Sequence, residues 1–82
     1  MLKKQRVPIA DVRVPVKRIK TLDAAKVQSI AEDMLEHGQT TPIRLRADGD
    51  KFVLIEGFHR LEALRALGDE TVEAYLVHAR LH

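Results

Sequence analysis

The segment KFVLIEGFHRLEALRALG, residues 51–68, decides the fold that this sequence predicts. Its first six residues are almost wholly apolar, which is typical of a central strand buried on both faces. Gly57 breaks that strand, and the leucines after it recur at helical spacing and predict a second helix that ends at Gly68. The residues expected to face inward are Leu61, Leu64 and Leu67, and those expected to face outward are Glu62 and Arg65.

The segments before it predict a hairpin partner and a first helix. TPIRLR (41–46) alternates apolar and charged residues, and ADGD (47–50) carries an Asp-Gly turn signal before the strand at 51–56. The first helix is predicted over residues 23–37, with Asp23 as its N-cap and Gly38 after its end. Its expected apolar stripe consists of Val27, Ile30, Ala31, Met34 and Leu35.

Three further extended segments complete the prediction. Val7 and Ile9 flank Pro8, which suits an edge strand because proline cannot donate to a central ladder. Residues 12–20 are expected to be extended, and residues 71–80 alternate as a closing strand. We therefore predict an α+β fold with a small mixed sheet and two main helices.

Length and composition limit the class of protein. The 82 residues predict a single domain over 1–82, with residues 1–5 expected to be flexible. No apolar run approaches the roughly 18 residues that a membrane span needs, and charges interrupt any signal-peptide pattern at the N-terminus. Without cysteine there is no disulfide, thiolate nucleophile or thiolate metal site. A cytoplasmic location is expected.

Charge is unevenly distributed along the chain. Residues 1–20 hold seven Lys or Arg and a single Asp, whereas residues 21–82 hold seven basic and eleven acidic residues. A basic segment of this kind can bind nucleic acid, or it can be a strand with solvated outer positions, and both interpretations stay open. The residues of the nucleic-acid alternative are Lys3, Lys4, Arg6, Arg13, Lys17, Arg18 and Lys20.

The start of the second helix is the strongest candidate for chemistry. His59 and Arg60 stand where a helix already carries partial positive charge, so either they are tolerated at the surface or an anion lies opposite them. Lys26 places another cation in the first turn of the first helix, with Ser29 following on the same face. If the two N-termini meet, these four residues form a polyphosphate site.

Glu56 and the histidines carry the remaining alternatives. Glu56 precedes the glycine turn and could be a general base, a ligand of Mg²⁺ or simply the polar end of a strand. The spacing of His37, His78 and His82 forms no metal site, so none is expected from the protein alone.

The chain resembles the ParB/sulfiredoxin superfamily over about residues 6–80. The resemblance rests on the helix motif KVQS (26–29), the Gly-x-x-x-Pro-Ile strand entry (38–43), the Gly-x-His-Arg loop (57–60) and the closing strand. It implies a nucleotide-binding α+β fold. It also implies that Lys26 and Ser29 contact phosphate as in sulfiredoxins, and that Gly57, Phe58, His59 and Arg60 form the phosphate-binding loop. The segment that begins at Thr41 would help to shape the nucleotide pocket.

Departures from the family pattern narrow the function. Sulfiredoxins place their catalytic cysteine where this chain has Phe58, so sulfinic acid reduction is excluded. Chromosome-segregating ParB proteins have Gly-Glu-Arg-Arg here and a helix-turn-helix domain afterwards, which these 82 residues do not include. Free serine kinases on this fold have an acid before a Gly-His-His-Arg loop, and Glu56 resembles that acid.

Three functional hypotheses follow. The first is a ParB/sulfiredoxin-like domain that binds ATP or CTP with Mg²⁺ and acts as a switch or as a module for a protein partner. The second is a small kinase or phosphohydrolase that uses Glu56. The third is a nucleic-acid-binding or nuclease-like module acting through the basic residues of segment 3–20.

Overall fold

In a computed structural model, which describes residues 3–77, five strands form one mixed sheet that packs with the helices in a single apolar core. The predicted α+β class, with two main helices, is confirmed. The elements are β1 (Lys4–Pro8), a 3-10 turn (Ile9–Asp11), β2 (Val12–Arg13), α1 (Val16–Ile19), α2 (Ala24–His37), β3 (Ile43–Asp48), β4 (Lys51–Glu56), α3 (Phe58–Ala66) and β5 (Thr71–Leu76).

The sheet order is β1-β5-β3-β4-β2, with β3 in the middle. β3 pairs antiparallel with β4, as the Asp-Gly turn predicts, and parallel with β5. β1 is the edge strand expected from Pro8 and pairs antiparallel with β5. Because β4 runs antiparallel to β3, with Glu56 opposite Arg44, the end of β4 lies next to the start of β3, and α3 begins there.

The prediction that residues 51–56 are buried on both faces is wrong. β4 pairs with β3 along one edge. Along its other edge, the two-residue strand β2 pairs with only Phe52 and Val53. Leu54 is buried in the core, whereas the next residue, Ile55, is 36% exposed. A continuous apolar run therefore does not establish two covered faces, because burial depends on which layers pack on the sheet.

The predicted extended segment 12–20 is also wrong beyond its first two residues. Only Val12–Arg13 is strand, and residues 16–19 form the short helix α1. Pro15 precedes this helix with φ −56°, and proline is well tolerated at a helix start because its missing N–H would have no helical acceptor there. The helix leaves Val16 and Ile19 exposed, which the alternation pattern does not predict.

The prediction of a helix over residues 23–37 is confirmed. The Asp23 carboxylate caps α2 by accepting hydrogen bonds from the N–H groups of Ala25 and Lys26, at 3.1 and 3.2 Å. Gly38 ends the helix with φ 71°. Assignment of Leu35 to the apolar stripe is wrong, since this side chain is 73% exposed. It lies about 80° around the helix from Val27, at the margin of the buried face.

The helix after the glycine turn carries its leucines inward as predicted. Leu61 and Leu64 are buried, Leu67 packs against the core, and Arg65 is exposed, with its Nε 3.4 Å from a carboxylate oxygen of Glu62. Phe58 is buried as well, with 6% of its surface exposed. The complete buried set is Val7, Ile9, Val12, Met34, Ile43, Leu45, Leu54, Phe58, Leu61, Ala63, Leu64, Val72 and Ala74.

Two predictions concern the ends of the chain, where residues 1–2 and 78–82 lie outside the described residues. Lys4 and Gln5, from the segment expected to be flexible, pair with β5, while Met1 and Leu2 lie outside the described residues. The last part of the predicted closing strand, residues 78–80, also lies outside them, and so do the side chains of His78 and His82.

Glu73 joins the edge strand β1 to β5 and gives the first testable prediction. Its carboxylate lies 3.3 Å from Lys4 Nζ and 3.4 Å from Arg6 Nη2, and hydrogen bonds from these two cations lower the pKa of Glu73. A lowered folded-state pKa adds stability above the ordinary pH range of a glutamate, and that stability is lost as the pH falls through the folded-state pKa. Glu73→Gln should therefore lower the thermal midpoint slightly at pH 7, and the difference from wild type should shrink as the pH falls and vanish once the pH is below the lowered folded-state pKa of Glu73. A difference in thermal melts that stays the same from neutral to acid pH would contradict this.

Candidate functional site

A tight turn at Gly57 connects β4 to α3. Gly57 has φ 107°, a left-handed conformation that side chains disfavour. A Cβ atom at this position would lie 2.6 Å from Cγ2 and 2.8 Å from Cβ of Ile43, the first residue of β3. The turn is therefore fixed both by conformation and by close packing, and α3 starts directly against the beginning of the middle strand.

The first turn of α3 presents backbone donors. Leu61 N–H donates to the Gly57 carbonyl at 2.9 Å, so the N–H groups of the three preceding residues have no helical acceptor. No side chain caps the helix, and its first turn contains no acidic residue. Free N–H groups and the positive end of a helix together favour an anion.

His59 links the starts of the two main helices. Its Nε2 accepts a hydrogen bond from the backbone N–H of Asp23, the N-cap residue of α2, at 3.1 Å. The two helices also pack directly against each other. The convergence of two helix N-termini, which the sequence could state only as a condition, is therefore a feature of the fold.

The converging helices and the sheet border an open cleft of about 400 Å³, which we call the Gly57 cleft. Within the described residues, four cationic side chains and a single carboxylate line it, so its charge balance favours an anion. Its lining residues are Arg18, Thr21, Lys26, Ile30, Thr41, Pro42, Arg44, Glu56, Gly57, Phe58, His59, Arg60 and Tyr75.

Most residues expected at a nucleotide site line this cleft. Lys26, Thr41, His59 and Arg60 do so, together with the Gly57-Phe58 turn. Ser29 does not. It lines a neighbouring pocket of about 300 Å³ that also includes Thr41 and Arg60. The next residue, Ile30, does line the Gly57 cleft. Consecutive residues of an α-helix are rotated by about 100° about its axis, so Ser29 is turned away from the face that borders the cleft.

Glu56 also lines the cleft, where it is paired. One of its carboxylate oxygens lies 3.3 Å from Arg44 Nε, and 67% of its side chain is exposed. The pair is a cross-strand pair, because Arg44 and Glu56 are partners in the β3–β4 ladder. The carboxylate is thus both accessible and held next to a cation.

Sequence reasoning missed several lining residues. Arg18 was placed only in the basic segment, but its Nη2 donates to the carbonyl of Ile55 at 2.6 Å, which brings α1 to the end of β4. Thr21 then donates its hydroxyl to the Arg18 carbonyl at 2.6 Å. Arg44 and Tyr75 reach the cleft because they are register partners of β3 and β5. Only strand order reveals such neighbours, and no local signal marks them.

The remaining cations of segment 3–20 are distributed over separate surfaces. Arg13 pairs with Asp48, Nη2 to carboxylate oxygen at 2.6 Å, and Lys4 and Arg6 pair with Glu73. Lys3, Lys17 and Lys20 are exposed. Nucleic-acid binding through these residues stays a prediction.

Residues 3–77 contain neither a cluster of metal ligands nor a helix that could span a membrane. No group of three or more His, Cys, Asp or Glu residues is arranged to hold a metal ion there. His37 Nδ1 lies 3.1 Å from a carboxylate oxygen of Asp33, one turn earlier on the same helix. Across that same part of the chain, no helix combines the length and the apolar character that crossing a bilayer requires.

Comparison with known proteins identifies the family and the fold of this chain. The family model described as ParB N-terminal domain matches residues 2–81. Sulfiredoxin from Arabidopsis thaliana superposes with a TM-score of 0.84 at 23% identity, over 94% of this chain and 86% of that one. Among curated proteins, none matches the chain by sequence.

Two nucleotide complexes are also similar in fold. The C-terminally truncated chromosome-partitioning protein ParB from Caulobacter crescentus, complexed with CTP-γ-S, gives a TM-score of 0.83 at 17% identity, covering 95% of this chain and 46% of that one. A free serine kinase in complex with AMP gives 0.76 at 15% identity, over 93% and 31%. The present chain therefore spans less than half the length of these two proteins.

Proposed function

Because this chain belongs to the family of ParB N-terminal domains, we propose that it binds a nucleoside triphosphate, ATP or CTP, in the Gly57 cleft and acts as a switch or partner module. The phosphates lie against the loop of residues 57–60. The fold relatives complexed with CTP-γ-S and with AMP support a nucleotide as the ligand.

The observation that carries the proposal is the meeting of two helix N-termini at one cationic cleft. The uncapped first turn of α3 offers backbone N–H donors. Lys26 comes from the first turn of α2, while Arg18 and Arg44 come from α1 and β3. A row of phosphates carries several negative charges, and donors that converge from separate elements can bind more than one phosphate at once.

Mg²⁺ would accompany the nucleotide. In proteins this ion usually keeps several waters and is bound through one or two carboxylates plus substrate phosphates. Glu56 fits that requirement as an accessible carboxylate on the wall of the cleft. Bound there, the ion would neutralise phosphate charge, while Arg44 would hold the carboxylate in place.

Arg60→Ala should weaken nucleotide binding about 10- to 100-fold, since hydrogen bonds to charged groups contribute on the order of 1.5–3 kcal/mol. The measurement is calorimetric titration of ATP, CTP and GTP with Mg²⁺ into both proteins. Arg65→Ala is the matched control, because Arg65 lies on the same helix but does not line the Gly57 cleft. Equal loss of affinity in both variants, or no nucleotide binding to folded wild type, would reject the proposal.

A small kinase or phosphohydrolase is the second candidate, and Glu56 is the observation that favours it. Among described residues it is the only carboxylate that lines the cleft, so it is the available base or metal ligand. Turnover that disappears in Glu56→Gln, with binding retained, would assign an enzyme, which is a kinase if turnover needs an acceptor hydroxyl and a phosphohydrolase if water is sufficient. Slow hydrolysis that is unaffected by Glu56→Gln would assign the binding module.

A further inference from the structure

The hydrogen bond between Asp23 and His59 has a direction that restricts the imidazole. A backbone N–H can only donate, so Nε2 of His59 must offer its lone pair to Asp23 at 3.1 Å. The ring proton is then on Nδ1, and the imidazole in this arrangement is uncharged. Nε2 is fully used by α2 and has no proton to give to a phosphate.

Asp23, which donates this hydrogen bond, also fixes the start of α2. The Asp23 carboxylate accepts from the N–H groups of Ala25 and Lys26, so backbone and side chain of Asp23 together fix the first turn. Lys26 belongs to that turn and lines the Gly57 cleft. The orientation of Lys26 relative to α3 therefore depends on the hydrogen bond from Asp23 N–H to His59 Nε2.

We propose that His59 is a positioning residue, which in its Nδ1–H tautomer ties the N-terminus of α2 to that of α3 and so holds Lys26 opposite Arg60. The expected effect of His59 on nucleotide binding rests on the proposed nucleotide site, whereas the tautomer and the hydrogen bond do not depend on that site. The positive charge of the cleft comes from arginine and lysine, and His59 adds geometry instead of charge.

The two nearby carboxylates are engaged with partners other than His59. Glu56 is the carboxylate on the cleft wall, but its partner is Arg44. The Asp23 carboxylate is directed to the backbone of its own helix.

The direct test is NMR on the uniformly ¹⁵N-labelled wild-type chain without nucleotide. We expect the ring nitrogens of His59 to show the Nδ1–H tautomer, and a scalar coupling across the hydrogen bond between Asp23 backbone nitrogen and His59 Nε2. An Nε2–H tautomer, or no coupling in a well-resolved spectrum, would overturn the inference whether or not nucleotide binds.

Two variants test the consequence. His59→Leu removes the acceptor at similar size, whereas the amide oxygen of His59→Gln can still accept from Asp23. We expect His59→Leu to weaken nucleotide binding about 3- to 10-fold, as loss of one neutral hydrogen bond allows, and His59→Gln to recover most of that loss. Equal affinities in the two variants would contradict a positioning role. If His59→Leu fails to fold by circular dichroism, the wild-type coupling and His59→Gln decide the matter.

Discussion

Gly57→Ala should destabilise the protein by about 3 kcal/mol, a large part of the roughly 5–15 kcal/mol that stabilises a typical domain. Two effects add at this position. A side chain at φ 107° costs about 1–2 kcal/mol, and the new Cβ would lie within 2.8 Å of two Ile43 side-chain atoms. Such overpacking costs about 1–3 kcal/mol, because Ile43 is 1% exposed at the start of the middle strand and has little room to move.

Gly49→Ala separates the two effects. Gly49 also has a positive φ, 64°, but nothing lies within 4 Å of the position that its Cβ would occupy. This control should lose only about 1–2 kcal/mol in urea or thermal unfolding. If both variants lose the same amount, the contact with Ile43 contributes nothing and the packing argument for the turn is wrong.

Leu61→Ala should destabilise the protein by a comparable amount, about 2–5 kcal/mol. Leu61 is fully buried, and it lies on the helix that also carries His59 and Arg60. Its truncation leaves a cavity where α3 meets the core, and the surrounding residues relax into such a cavity only in part. The free energy of unfolding from urea titration is the appropriate measurement.

The matched control is the same substitution at an exposed leucine. Leu35 is 73% exposed on α2, so Leu35→Ala should change the free energy of unfolding by less than about 0.5 kcal/mol. Comparable losses in the two variants would mean that Leu35 is buried, as its spacing along the helix predicts. That result would contradict the exposed position of Leu35 in the fold.

Local signals in the sequence were sufficient for the main elements. Asp23 and Gly38 mark both ends of α2, Asp48-Gly49 marks the hairpin, and the Gly57 break marks the start of α3. These predictions succeed because caps, turns and periodicity depend on backbone chemistry over a few residues. The pattern of 12–20 fails because alternation is a weak signal beside a proline that can open a helix.

The sequence by itself determined the α+β class, both main helices and a cationic loop after Gly57, since each depends on residues close together in the chain. Only the tertiary structure decided which distant groups share the cleft. Arg18, Arg44 and Tyr75 reach it through α1 and strand register, and Ser29 falls outside its rim. The contact between His59 and Asp23 spans 36 residues. Contacts at such separation are set by strand order and helix packing, and a one-dimensional pattern does not encode them locally.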